Sequence, residues 1–132
     1  MTRLLPAAVL MCLVLGCADV DRNLPRPYRR IEVPAALLVS TDARARGFKL
    51  FVEYCALCHG ERGDGRGVRR EGLTAPPRDF TSREWRASTS PRRVFYAIRE
   101  GLPGTSMPAW KALSEQDASD LTAYVLSVGE QQ

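Results

Sequence analysis

Residues 55 to 59 read Cys55-Ala56-Leu57-Cys58-His59, a run that joins two thiols to an adjacent imidazole. Two cysteines at this spacing can each close a thioether onto one vinyl group of a porphyrin, while the next residue points its imidazole at the iron. The run is the attachment pattern of a c-type haem. It constrains the fold strongly, because a small chain that carries so large and flat an apolar group must wrap around it and use it as part of the core.

Three other uses of the same residues can be weighed from the sequence. A structural zinc wants four Cys or His ligands. The chain holds four Cys and one His, and Cys12 and Cys17 belong to the apolar N terminus, away from Cys58. A thioredoxin-like pair sits near a βαβ pattern, and no strand pattern surrounds this one. The glycine-rich stretch Gly60-Glu61-Arg62-Gly63-Asp64-Gly65-Arg66-Gly67 lacks the Lys-Ser/Thr ending of a phosphate loop and follows no strand. It suits instead a backbone turning close to a flat ligand.

The N terminus sets the compartment. Met1-Thr2-Arg3 carries a positive side chain, Leu4 to Leu15 is almost wholly apolar, and Gly16-Cys17 follows, the layout of a secretory signal peptide too short to span a membrane stably. Val14-Leu15-Gly16-Cys17 resembles a bacterial lipoprotein signal. That resemblance implies that residues 1–16 are removed and that Cys17 becomes a lipid-bearing N terminus, placing the protein on the periplasmic side as a membrane-anchored lipoprotein. Removal of Cys12, a lipid on Cys17 and haem on Cys55 and Cys58 would together account for every cysteine without a disulfide.

Residues 17–40 read as a lipidated N terminus and Pro-rich tether, with Pro25, Pro27 and Pro34 among Asp19, Asp21, Arg22, Arg26, Arg29 and Arg30. As a free coil such a tether would span roughly 25 Å. Ile31, Val33, Leu37, Leu38 and Val39 are more apolar than a free linker requires, so part of it is expected to wrap against the domain.

Residues 41–132 form one small domain. A helix is expected to start at a cap on Thr41 or Asp42 and to run through Gly47, Phe48, Leu50, Phe51 and Tyr54 into the Cys-His run. A glycine inside a helix costs about 1 kcal/mol against alanine, which calls for a close helix crossing. Ser90-Pro91 opens a further helix with Val94, Phe95 and Ile98 on one face and Gly101 as its stop. Ser114-Glu115-Gln116-Asp117 resembles a capping arrangement ahead of the stripe Leu121, Tyr124, Val125 and Val128. The class is all-α.

Gly47 and Phe51, eight and four positions before Cys55, together with Leu121 and Tyr124, three apart near the C terminus, resemble the crossed terminal helices of mono-haem class I c-type cytochromes. The resemblance covers about residues 42–128 and implies a cytochrome c fold of three to five helices around one covalently bound haem c. In that family the iron's second ligand is a methionine followed by proline in a loop before the last helix. Met107-Pro108 matches, within the turn-rich run from Gly101 to Trp110. Met1 and Met11 lie in the signal and His59 is the only histidine. A thioether is a soft neutral ligand suited to haem iron opposite an imidazole. The segment Leu73-Thr74-Ala75-Pro76-Pro77-Arg78-Asp79-Phe80 resembles the stretch in which a proline carbonyl accepts the hydrogen bond from the axial histidine. Pro76 is the first choice, with Pro77 open. Arg78, Trp85 and Trp110 are candidates for the haem propionates.

Residues 61–99 hold ten Arg against five acids, whereas residues 100–132 hold one Lys against five. A basic region on an exported haem protein favours acidic redox partners rather than nucleic acid. The expected function is electron transfer through a single haem with His59 and Met107 as axial ligands, without small-molecule substrate or catalysis. The alternatives are a haem subunit of a larger oxidoreductase, and a haem enzyme or sensor with an open iron site.

Overall fold

The computed structural model describes residues 20–131. The signal reading of residues 1–16 and the lipidation site Cys17 lie outside them. In chain order the helices are α1 (Arg26–Arg29), α2 (Ala35–Leu38), α3 (Thr41–Tyr54), α4 (Ala56–His59), α5 (Arg83–Ala87), α6 (Pro91–Glu100) and α7 (Glu115–Ser127), followed by a 3₁₀ turn at Val128–Gln131. No strand occurs among the described residues.

Side-chain caps start the longer helices. Ser40, rather than Thr41 or Asp42, caps α3, its hydroxyl accepting from the Ala43 amide at 3.2 Å. Asp42 falls in the first turn instead, where a carboxylate faces the positive end of the helix. Ser90 accepts from the Arg93 amide at 3.1 Å, with Pro91 as first helical residue of α6. A reciprocal box opens α7: Ser114 Oγ accepts from the Asp117 amide at 3.0 Å, and Asp117 Oδ2 accepts from the Ser114 amide at 3.3 Å. The one-and-a-half-turn helix α5, capped by Ser82, went unanticipated in the sequence.

α3 and α7 cross at Gly47. A Cβ there would stand 2.1 Å from the Asp120 carbonyl oxygen and 2.8 Å from Tyr124 Cβ, so only glycine lets the backbones meet. One turn on, Phe51 is fully buried beside Leu121, with its ring centroid 5.1 Å from that of Tyr124. Val94, Phe95 and Ile98 of α6 complete the core. The crossing also buries a charge. Asp120 is 1% exposed and takes two bonds from Arg46, at 2.6 and 3.1 Å, and one from Gln116 at 2.9 Å. A buried carboxylate without such partners would cost several kcal/mol.

The supposed tether is, over residues 20–40, a packed belt. Leu24 is buried, and Tyr28, Ile31 and Val33 lie against the core. The prolines that suggested a linker instead precede single helical turns, Pro25 before α1 and Pro34 before α2.

Candidate haem site

α3 delivers the site. Cys55 closes α3, its amide donating to Phe51 O at 2.8 Å, and at the same time opens the single turn α4. That turn brings Cys55, Cys58 and His59 together, with the His59 amide donating to Cys55 O at 2.9 Å. The glycine-rich stretch then folds back over α4. Gly65 N donates to His59 O at 2.7 Å, Gly67 N to Cys58 O at 3.1 Å and Arg69 N to Leu57 O at 2.9 Å. The carbonyls that a helix end leaves without partners are thereby satisfied, and the turn is held from outside.

His59 is fixed on two counts. Its Nδ1 lies 3.0 Å from the carbonyl oxygen of Arg78. A carbonyl only accepts, so Nδ1 carries the proton and Nε2 keeps the lone pair a metal needs. Phe80, buried, stacks on the ring at 4.6 Å and 20° between planes. Phe80 is itself held by Phe51 at 6.3 Å and Trp85 at 5.0 Å, which ties the imidazole to the core of α3. Burial pushes the His59 pKa below its ordinary value, favouring the neutral ring.

The carbonyl that meets His59 is therefore not that of Pro76, nor of Pro77. Pro76 is exposed, and the Pro77 oxygen is turned toward Gly65, 2.8 Å from where a Cβ on that glycine would stand. The Phe80 amide, donating to Gly63 O at 2.7 Å, pins the segment so that residue 78 faces the imidazole. Neither this register nor the Phe80 stack was foreseen in the sequence. An aromatic two residues beyond a histidine's carbonyl partner was the one available signal.

Met107 lies on the loop after α6, half-buried. Gly101 sets that loop: its φ is +67°, and a Cβ on it would stand 2.7 Å from Met107 O and 2.8 Å from the Ala109 amide nitrogen. The Leu102 amide donates to Met107 O at 3.2 Å, the Met107 amide to Thr105 Oγ1 at 3.1 Å, and the Trp110 amide to Ile98 O at 2.9 Å. The loop hydrogen bonds to the segment before Arg78. Ser106 Oγ accepts from the Thr74 amide at 3.0 Å and lies 2.7 Å from Thr74 Oγ1. The segment leading to Arg78 and the loop carrying Met107 are thus joined at the surface. Trp110 packs on Tyr54 and Trp85 on Phe80, both as aromatic packing, and the Arg78 side chain is exposed.

The donor set fits a covalent haem better than zinc or a redox thiol pair. Burial, then the neighbouring Cys58, pushes the Cys55 thiol up to about 12, the opposite of the low-pKa thiolate of exchange chemistry. Among the described residues no group of three or more Cys, His, Asp or Glu could hold a metal alone. Two thiols one turn apart beside a neutral imidazole with a free Nε2 lone pair are what thioether attachment and iron ligation use.

Residues 42–125 match the family model described as cytochrome c oxidase, cbb3-type, subunit III. The chain is 33% identical over 86 residues to the cbb3-type cytochrome c oxidase subunit FixP of Bradyrhizobium diazoefficiens, covering 64% of this chain and 27% of FixP. It is 35% identical over 81 residues to cytochrome c55X of Stutzerimonas stutzeri, covering 58% and 60% of the two chains. With the CcoP subunit of Azospirillum brasilense it shares 33% over 93 residues, 68% of this chain and 30% of that one. The chain thus spans less than a third of the two oxidase subunits it matches. Among solved structures, a chain of the Kuenenia stuttgartiensis reducing HAO-like protein complex superimposes with a TM-score of 0.63 at 30% identity, covering 74% of this chain and 49% of that one. The KustC0563 c-type cytochrome gives 0.53 at 35%, covering 62% and 95%. The Cys-His motif, the crossed helices α3 and α7 and these similarities have one reading: the chain belongs to the cbb3-type subunit III family of cytochrome c domains, which carry a covalently bound haem c.

Proposed function

We propose that the protein is a one-electron carrier whose haem iron is held by His59 on one face and Met107 on the other. Bound haem supplies a site that takes up and releases one electron. The observation that carries the reading is the pairing of an oriented imidazole with a methionine loop whose Ser106 hydrogen bonds to Thr74, on the segment that supplies the Arg78 carbonyl to that imidazole. Arg78's carbonyl raises the basicity of His59 and fixes its plane, while Phe80 blocks its rotation. Met107 offers a neutral thioether, which favours the reduced state and a higher potential. With His59 and Met107 both bound, rearrangement on electron transfer would be limited and no position would be left for a substrate.

Partners are redox proteins. Arg62, Arg66, Arg69, Arg70 and Arg78 are all exposed on the segment that follows the haem motif, which favours acidic docking surfaces and a rate that falls with salt. Lipid on Cys17 would hold the protein at the periplasmic face of a membrane. No helix among the described residues is long and apolar enough to cross one. A second reading, a haem subunit within a larger oxidoreductase, is favoured because FixP and CcoP are oxidase subunits and the Kuenenia stuttgartiensis structure is a complex. Copurification from detergent extracts separates the two.

Met107→Ala tests the ligand set. The oxidised variant is expected to lose the sulfur-to-iron absorption band, and the reduced variant to bind carbon monoxide at neutral pH, which the parent does not. A surviving band would overturn the assignment.

A further inference from the structure

The belt changes what an anchor at Cys17 would do. Its first described residues are clamped to the N-terminal end of α6. Arg93 donates to Val20 O, the Ser90 hydroxyl donates to the Asp21 carboxylate, and Arg92 reaches Asp21 at 3.3 Å and Ile31 O at 2.7 Å. Between these clamps the chain runs along α6 and returns. Leu24 is buried, and Arg29 Nε donates to its carbonyl at 2.7 Å. At the far end of α6 Tyr28 donates to Glu100 and packs edge-on against Tyr96 at 4.8 Å. Lys111 holds Glu100 at 2.9 Å, so the carboxylate that receives Tyr28 is kept ionised. The belt is fastened at both ends of one core helix.

Only Ala18 and Asp19 then separate Cys17 from the clamped Val20. Three fully extended residue steps reach at most about 11 Å. A domain of this size has a radius of roughly 17 Å, from a radius of gyration near 13 Å. The anchor is therefore shorter than the domain's own radius, and the domain cannot turn its opposite side to the lipid. α6 supplies the scale: its ten residues rise about 15 Å. The clamped N terminus sits at the Ser90 end, and the loop carrying Met107 is set at the Gly101 end.

We infer that residues 20–33 form a rigid foot that seats the domain directly on the membrane, with the N-terminal end of α6 held within about 11 Å of the lipid-bearing residue. The inference rests on the reading that Cys17 bears the lipid. Its consequence is that the domain cannot swing away from the membrane as it could on a free tether.

The test uses the full-length acylated holoprotein on a supported bilayer of phosphatidylethanolamine and phosphatidylglycerol, read by neutron reflectometry. Protein density is expected to begin at the headgroups. A Gly-Ser insertion between Ala18 and Asp19, or the double variant Asp21→Ala, Tyr28→Ala, is expected to open a hydrated gap. A parent protein that already shows a gap near the roughly 25 Å of a free tether overturns the foot, and so does an insertion that changes nothing. Hydrogen exchange at residues 24–33 gives an independent reading: protection is expected in the parent and its loss in the double variant, and free-peptide rates in the parent overturn the foot. Intact mass separates the two ideas. An unacylated Cys17 sinks the anchor reading, whereas a gap beneath an acylated protein sinks the foot alone.

Discussion

The two sides of the haem site are built differently. On the His59 side a single helical turn is covered by a loop that hydrogen bonds back onto its carbonyls, and the imidazole is stacked on buried Phe80, which fixes its position, while Arg78 O fixes its tautomer. On the other side Met107, the proposed second ligand, rides on a loop whose residues 102–106 are all exposed, set by one glycine and a few hydrogen bonds open to water. The difference teaches where the site should yield first. Packing that excludes water resists opening with its full apolar burial, whereas an exposed hydrogen bond contributes only about 0.5–1.5 kcal/mol net. The methionine side is the one an outside ligand should enter.

The largest expected effect breaks the strong side. Phe80→Ala removes the ring that joins His59 to Phe51 and should cost about 3–5 kcal/mol of holoprotein stability in denaturant titration. Phe80→Leu should retain more than half of that, because it refills the volume without the stack. A loss below about 1 kcal/mol for the alanine variant would mean that the histidine side owes its rigidity to the haem attachment and not to this packing.

Next comes the weak side's own hinge. Gly101→Ala asks a side chain to adopt a φ of +67° while meeting Met107 O at 2.7 Å. The backbone strain alone is about 1–3 kcal/mol, and the clash pushes directly on the residue that carries the thioether. The expected outcome is a weakened sulfur-to-iron band at neutral pH with both thioether attachments retained in the denatured haem spectrum. An unchanged band would show that the loop can shift without releasing its methionine.

This asymmetry also decides what could be read in the sequence. Local grammar carried the frame: Ser90-Pro91 and the Ser114/Asp117 box start their helices where expected, and Gly47 lies at the crossing because a mid-helix glycine needs a steric reason. The ends of that grammar slipped where equal candidates stood side by side, as when Ser40 rather than Thr41 took the cap. What stayed hidden depends on contacts distant in sequence. The choice of Arg78 over Pro76 follows from the Phe80 amide reaching Gly63 and the Pro77 carbonyl facing Gly65, a register that no neighbouring residues encode. That the belt packs was legible in Ile31 and Val33, but where it packs was not, because its prolines and arginines resemble a solvated linker. Its order comes from Arg92 and Arg93 on α6 finding its carbonyls.

The smallest effect is the sharpest probe of the comparison. Ser106 Oγ and Thr74 form the direct hydrogen-bonded link described between the two sides, and both residues are exposed. Removing the hydroxyl in Ser106→Ala should cost about 1 kcal/mol, because water competes for both Thr74 groups. The haem spectrum should not change, since the link touches neither ligand. If opening of the Met107 loop limits the entry of imidazole into the oxidised protein, that 1 kcal/mol raises the open population roughly fivefold and the entry rate with it. Thr74→Val keeps the amide donor and should give part of the same increase. The double variant should then fall short of the product of the two, because both changes open one shared contact. Full multiplicativity, or an entry rate that neither variant moves, would mean that the two sides close over the haem independently, and that the methionine loop is held by Gly101 and its own backbone alone.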